Sequence, residues 1–162
     1  MNSDFEEKLQ ESKYAVKAME FFKEGYNCSQ AVVLAFSDMY DLDTTAMLRL
    51  SSSFGGGMGR LRQVCGAVSG MFMVAGLLYG YDGAKDIDGK TMHYKRIQEL
   101  AHKFEEMNGS IVCGVLLGTD AKKESHVPSK RNEEYYKKRP CVQLVGCAAY
   151  ILENYIRENP VS

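Results

Sequence analysis

Residues 54–70 read Phe54-Gly55-Gly56-Gly57-Met58-Gly59-Arg60-Leu61-Arg62-Gln63-Val64-Cys65-Gly66-Ala67-Val68-Ser69-Gly70, a glycine-rich loop that leads through a cysteine into an apolar helix. Clustered glycines allow a backbone with positive φ and a close approach by another group. Cys65 falls at the first turn of the following helix, where free N–H groups and the helix dipole favour a thiolate. We therefore predict a site here, with Cys65 as its reactive thiol, although a tight interhelical turn without a ligand is the alternative. The backbone that a cofactor would approach comprises Gly55, Gly56, Gly57, Gly59 and Gly66.

Composition indicates one globular domain over residues 1–162. The chain has 162 residues, 45% of them hydrophobic, and this length buries enough surface to fold without disulfides. A net charge of −1 gives no general attraction to nucleic acid or to anionic lipid, so no nucleic-acid partner is expected. The longest apolar run, Cys65 to Gly80, is shorter than a membrane span and is interrupted by glycines, so it indicates a buried core helix.

The N-terminal residues are polar and acidic, unlike a secretory signal, and we expect a cytoplasmic protein. In a reducing compartment, its five cysteines are expected to be free, metal-bound or redox-active.

Hydrophobic periodicity predicts an all-α fold, a compact bundle of about six helices. Apolar residues from Phe5 to Tyr26 lie on one face of the first helix, which ends at Gly25. A second helix starts after Asn27 and runs to about Tyr40, and Asp43 caps a third. The Cys65 helix then stops at Gly80. Asn108 and Gly109 end a fifth helix that carries Tyr94, Ile97, Ala101, Phe104 and Met107. A short helical stretch follows from Ile111 to Leu117. Residues of about 119–140 are predicted to be an exposed charged loop, with one helical turn from Glu133 to Lys138, and the final helix starts at about Pro140.

Four cysteines fall in the first turn of separately predicted helices: Cys28, Cys65, Cys113 and Cys141. Each is expected to have a lower pKa than Cys147, which lies two turns inside the last helix and is expected to pack in the core. Packing is also the common role of any single cysteine near a helix start. The spacings contain no C-x-x-C pair, so a zinc ribbon or thioredoxin-like motif is not indicated.

Other motifs give weaker signals. Glu99 and His102 form a single E-x-x-H, whereas a di-iron bundle needs two such motifs and two further glutamates. The glycine loop lacks the Lys-Ser/Thr of a P-loop. The basic residues Lys122, Lys123, Lys130 and Arg131 indicate a solvated surface that could steer an anionic ligand.

The quoted loop resembles a known family, the C_GCAxxG_C_C redox-active proteins. The resemblance covers about Asn27 to Ile156 and includes Asn27-Cys28-Ser29-Gln30-Ala31, the Phe54 to Gly59 loop, Cys65-Gly66-Ala67-Val68-Ser69-Gly70, Cys113 before Leu116-Leu117-Gly118, and Cys141 before Leu144-Val145. It implies that the family's four cysteines are Cys28, Cys65, Cys113 and Cys141, with Cys147 outside the pattern. The family name implies redox activity and no particular reaction.

Three functions are consistent with these observations. The first is thiol redox chemistry or electron transfer, an oxidoreductase activity on thiol or disulfide groups, with an unidentified redox protein or a small-molecule thiol as partner. In the second, Cys28, Cys65, Cys113 and Cys141 together bind Zn²⁺ or an iron–sulfur cluster. The third is a helical interaction protein whose cysteines are structural.

Overall fold

The computed structural model describes residues 3–118 and 123–161. About 70% of it is helical and the described residues contain no strand, which confirms the all-α prediction. The helices are α1 (Ser3–Glu11), α2 (Lys13–Glu24), α3 (Cys28–Ala35), α4 (Thr44–Ser52), α5 (Gly55–Met58), α6 (Gly66–Tyr79), α7 (Ile87–Asn108), α8 (Cys113–Leu116), α9 (Glu133–Lys138) and α10 (Cys141–Glu158), with a 3₁₀-helix at Ser37–Met39.

The predicted count of about six helices is too low, partly because the first predicted helix is two. The chain breaks at Ser12, whose backbone is extended and whose hydroxyl accepts a hydrogen bond from the N–H of Ala15 at 3.1 Å. This side chain caps α2, so α1 ends at Glu11 although the apolar spacing continues through the break. The second predicted helix also ends early, because α3 stops at Ala35 and Ser37–Met39 form the 3₁₀-helix.

Several predicted helix ends are confirmed by their caps. Gly25 and Gly109 adopt left-handed conformations after α2 and α7, with φ of 120° and 90°. Asn27 starts α3 with a capping box, because its side chain accepts from the N–H of Gln30 at 2.9 Å and the Gln30 side chain accepts from the N–H of Asn27 at 3.1 Å. Asp43 caps α4 through the N–H of Ala46.

Helix α3 lies at the centre of the bundle and contacts α2, α4, α6 and α10. Its approach to α6 is close, because a Cβ on Gly70 would lie 2.8 Å from the carbonyl oxygen of Ser29. Helix α6 is buried along most of its length, as predicted for a core helix. Among the described residues, no helix has the length and apolar character needed to cross a membrane.

A short antiparallel pairing brings two distant loops together and was not predicted. Val64 and Val112 form an isolated bridge, the N–H of Cys65 donates to Ile111, and the N–H of Cys113 donates to Gln63. Helix α8 therefore starts at Cys113, later than the predicted stretch from Ile111, because Ile111 and Val112 pair with the other loop.

The predicted exposed charged loop is only partly exposed. Its residues 119–122, including Lys122, lie outside the described part, and Lys123 and Lys130 are exposed. The half-buried side chains Glu124, Arg131 and Tyr135 instead pack onto the bundle, and the predicted helical turn from Glu133 to Lys138 is α9.

Candidate functional site

One cavity of about 270 Å³ brings together the four cysteines that the sequence selected. Cys28, Cys65, Cys113 and Cys141 all line it, whereas Cys147 does not. The cavity lies where the starts of α3, α6 and α10 meet the glycine loop and the segment around α9. Cysteines separated widely in the sequence therefore share one solvent-accessible space.

Each of the four cysteines lies at a helix start, as predicted. Cys28, Cys113 and Cys141 are the first residues of α3, α8 and α10, and Cys65 directly precedes α6. Cys28 is half-buried, while the other three are only 4–8% exposed. Because these three side chains are so little exposed, only small molecules can reach their sulfur atoms directly.

The glycine loop forms a left-handed turn that lets the cysteines approach the backbone. Residues 56–60 all have φ between 65° and 70°, including Met58 and Arg60, which are not glycine. A Cβ on Gly57 would lie 2.6 Å from the Cβ of Cys113, so only glycine fits there. Four of the five glycines predicted to approach a cofactor line the cavity, while Gly57 is buried behind it.

Cys28 and Cys141 interact with each other, and each shifts the pKa of the other. The pKa of Cys141 is lowered to about 7, mainly by a hydrogen bond from Cys28. The charge of Arg139 and a hydrogen bond from Tyr135 lower it further, and these three effects outweigh burial, which raises it. The same interaction, together with burial, raises the pKa of Cys28 well above its usual value. Cys141 is thus partly ionised near neutral pH, whereas Cys28 remains a thiol.

Cys65, predicted to be a reactive thiol with a lowered pKa, does not have one. Burial raises its pKa to about 12, although the N–H groups of Ala67 and Val68 at the start of α6 act in the opposite direction. Burial also raises the pKa of Cys113, against a hydrogen bond from Arg62. Desolvation of the thiolate therefore exceeds the effect of the helix start at Cys65 and the effect of Arg62 at Cys113.

Cys147 is fully buried in the core, as its position inside α10 predicted. It accepts a hydrogen bond from the side-chain amide of Asn108 at 3.2 Å, and its sulfur lies 3.8 Å from the sulfur of Met107. Burial raises its pKa to about 11 and that of Cys65 to about 12, so both pKa values lie well above the ordinary value. The predicted lower pKa relative to Cys147 is therefore not found at Cys65 and is found at Cys141.

Arginine side chains surround the thiols, and most of them were not predicted to belong to the site. Arg60, Arg62, Arg131 and Arg139 line the cavity, and no carboxylate is among its described lining residues. Arg62 is 2% exposed and its Nη1 lies 3.5 Å from the sulfur of Cys113. Arg60 and Arg62 lie in the quoted loop close to Cys65, and this position could have indicated that they belong to the site. Their burial depends on tertiary packing.

Two of these arginines attach the segment around α9 to the rest of the bundle. Arg60 donates to the carbonyl of Ser125, the hydroxyl of Ser129 and the carboxylate of Glu124 at 2.6–3.1 Å. Arg131 donates to the carbonyl groups of Phe22 and Tyr26, and its guanidinium lies 4.0 Å from the centre of the Phe22 ring. Arg131 was predicted to be a solvated surface residue, and it instead forms part of the cavity wall.

A metal or cluster site is not supported by the arrangement of the ligands. Within residues 3–118 and 123–161, no group of three or more His, Cys, Asp or Glu side chains is arranged to hold a metal ion. The four cysteines thus line one cavity without forming such a group, so this arrangement does not fit Zn²⁺ or a Cys₄ cluster.

The helices and the cavity define an all-α protein that gathers four thiols among arginine side chains. The chain belongs to the C_GCAxxG_C_C family: the family model described as "Putative redox-active protein (C_GCAxxG_C_C)" matches residues 26–155. This confirms the resemblance seen in the sequence over about the same residues. No curated protein and no solved structure matches the chain.

Proposed function

We propose that this protein carries out thiol–disulfide exchange with Cys141 as the attacking thiolate and Cys28 as the resolving thiol. The observation that carries the proposal is the position of Cys28 and Cys141 at the first residues of α3 and α10, in one cavity, where each thiol shifts the pKa of the other. A disulfide between them requires the two Cβ atoms to approach within about 3.5–4.5 Å. Membership of a family described as redox-active supports the same chemistry.

The reaction has two exchange steps. The Cys141 thiolate attacks one sulfur of a substrate disulfide, which forms a mixed disulfide and releases the first substrate thiolate. Cys28 then loses its proton to solvent and attacks the Cys141 sulfur, which releases the second substrate thiolate and leaves a Cys28–Cys141 disulfide. The protein loses two electrons and the substrate gains them, and a second dithiol restores the reduced protein by the reverse steps.

The acidity of Cys141 suits it to the first step. The best attacking thiol has a pKa near ambient pH, because a lower pKa weakens the nucleophile and a higher pKa leaves too little thiolate. Cys141 has a pKa of about 7, whereas the raised pKa values of Cys65 and Cys113 keep both as thiols near neutral pH. In the proposed scheme these two cysteines neighbour the reacting pair and do not initiate exchange.

Peptide mapping tests the proposed pairing. Reduced protein is treated with a small disulfide, alkylated, digested without reductant and analysed by mass spectrometry. We expect a reversible Cys28–Cys141 disulfide in the wild-type protein. Cys28→Ser is expected to accumulate the mixed disulfide on Cys141, because the resolving thiol is absent.

Two further variants complete the test. Cys141→Ser should form no mixed disulfide at Cys28, and Cys147→Ser should behave as wild type because Cys147 lies outside the cavity. An unchanged thiol count under oxidation would contradict the proposal and favour cysteines with a structural role. A disulfide that consistently joins Cys65 to another cysteine would assign the reaction to a different pair.

A further inference from the structure

The Arg62 side chain presents unused hydrogen-bond donors inside the cavity. It is the largest fully buried side chain among the described residues. Its Nη1 donates to the sulfur of Cys113, while Nε and Nη2 have no hydrogen-bond partner among the described residues. Nη2 lies 3.2 Å from an oxygen of Glu124 without hydrogen-bond geometry, and that same oxygen accepts a hydrogen bond from Arg60 at 2.8 Å.

The two unpartnered nitrogens belong to one edge of the guanidinium. Nε and Nη2 point in parallel, and this edge binds carboxylate and phosphate groups through two parallel hydrogen bonds. Buried polar groups are normally hydrogen-bonded, and the ion pair with Glu124 involves no hydrogen bond from Nε or Nη2, so this edge can still donate to the oxygens of an anion.

The charges around the cavity favour an anion as that acceptor. Four arginines line it, and Glu124, which contacts two of them, leaves an excess of positive charge. Arg60 donates its hydrogen bonds to Glu124 and to the segment around α9. Arg131 donates to two backbone carbonyl groups. Arg62 differs from both, because among the described residues its Nε and Nη2 make no hydrogen bond and the only ion pair on this edge joins Nη2 to Glu124.

The size of the cavity limits the ligand. A volume of about 270 Å³ lies just below the range for small-molecule sites, about 300–1,000 Å³. Cys141 is 8% exposed, so a folded protein surface could not reach its sulfur directly.

We propose that the redox substrate is a small thiol or disulfide that carries an oxyanion group, and that the Nε–Nη2 edge of Arg62 binds this group. The assignment rests on the proposed function, since it places the substrate sulfur beside the Cys28–Cys141 pair. A carboxylate and a phosphate share the required chemistry.

Three symmetric disulfides of similar size test the charge preference. Wild-type reduced protein is reacted at pH 7 with 3,3′-dithiodipropionate, bis(2-hydroxyethyl) disulfide and cystamine, which are anionic, neutral and cationic. Each rate is divided by the rate of the same disulfide with dithiothreitol. We expect the normalised rate to be at least tenfold higher for the anion than for the neutral compound, and lowest for the cation. Equal normalised rates would overturn the substrate assignment and leave the exchange proposal intact.

Binding without redox chemistry provides an independent arm. In the Cys28→Ser, Cys141→Ser background, propionate and inorganic phosphate are titrated while the unfolding temperature is measured. We expect at least one of them to raise that temperature, and the larger effect identifies carboxylate or phosphate as the preferred group. The rise should disappear in Arg62→Lys, which keeps the charge and loses the planar edge, and persist in Arg157→Gln, which changes an exposed arginine.

The two proposals fail in different ways. Arg62-dependent stabilisation by anions without exchange with any disulfide would contradict the redox function and support the anion site. Stabilisation that is equal in Arg62→Lys and wild type would overturn the assignment to Arg62. If Arg62→Lys does not fold, the order of the three wild-type rates still decides the charge preference.

Discussion

Replacement of Cys28 by alanine should raise the pKa of Cys141, because the hydrogen bond from Cys28 is the largest influence that lowers it. Without that bond, burial acts against the remaining stabilisation from Arg139 and Tyr135, and we expect the pKa to return from about 7 to its ordinary value of 9.0 or above. Two pKa units correspond to about 2.7 kcal/mol of lost thiolate stabilisation.

The effect on reactivity is smaller than the change in ionisation. At pH 7 the thiolate fraction would fall from about one half to about one hundredth, roughly fiftyfold. A more basic thiolate is also a better nucleophile, and a Brønsted coefficient of about 0.4–0.5 restores roughly eightfold. The rate of alkylation at pH 7 should therefore fall only about sixfold, while the rate well above pH 9 should rise.

The midpoint of the pH profile is accordingly the decisive measurement. Reduced protein is alkylated with iodoacetamide from pH 5 to pH 10, and Cys141 labelling is followed by mass spectrometry. Cys147→Ala is the matched control, since it removes a thiol outside the cavity and should leave the midpoint near 7. A midpoint that stays near 7 in Cys28→Ala, or one near 9 in the wild type, would refute the reasoning.

Three further predictions concern reactivity, packing and pH. In the same alkylation series, Cys65 should react only at high pH or after unfolding, because its folded-state pKa is about 12, and labelling below pH 8 would contradict this. Gly57→Ala should lower the free energy of unfolding in urea by more than about 1 kcal/mol beyond Gly109→Ala. Both glycines have positive φ, but a new Cβ meets Cys113 only at residue 57 and has nothing within 4 Å at residue 109, so equal losses would exclude the steric argument. Burial raises the pKa of Cys147 from 9.0 to about 11, so its contribution to stability is complete below pH 9.0 and is lost as pH rises toward 11. Reduced Cys147→Ala should thus lose about 1.4 kcal/mol less per pH unit than wild type in this window, measured by urea unfolding, and parallel profiles would argue against the shift.

Local chemistry in the sequence determined the helical fold and the candidate thiols. The helix caps at Asn27, Asp43 and Gly109 involve only residues close in the sequence, so these helix boundaries could be predicted without tertiary contacts. The placement of four cysteines at helix starts follows from the same boundaries. The break at Ser12 was missed because the apolar spacing is compatible with one continuous helix.

Tertiary structure decided which thiols interact and how acidic each one is. Cys28 and Cys141 lie on helices far apart in the sequence, and only the packing of α3 against α10 brings their sulfurs together. At Cys65 the helix start favours the thiolate, but burial outweighs it. The packing of distant segments buries the thiols and brings the charged arginines near them. It also leaves Nε and Nη2 of Arg62 without hydrogen bonds to the residues that the structure describes. A sequence pattern identifies groups that can ionise, whereas the cost of desolvation and the presence of a partner depend on the surrounding structure.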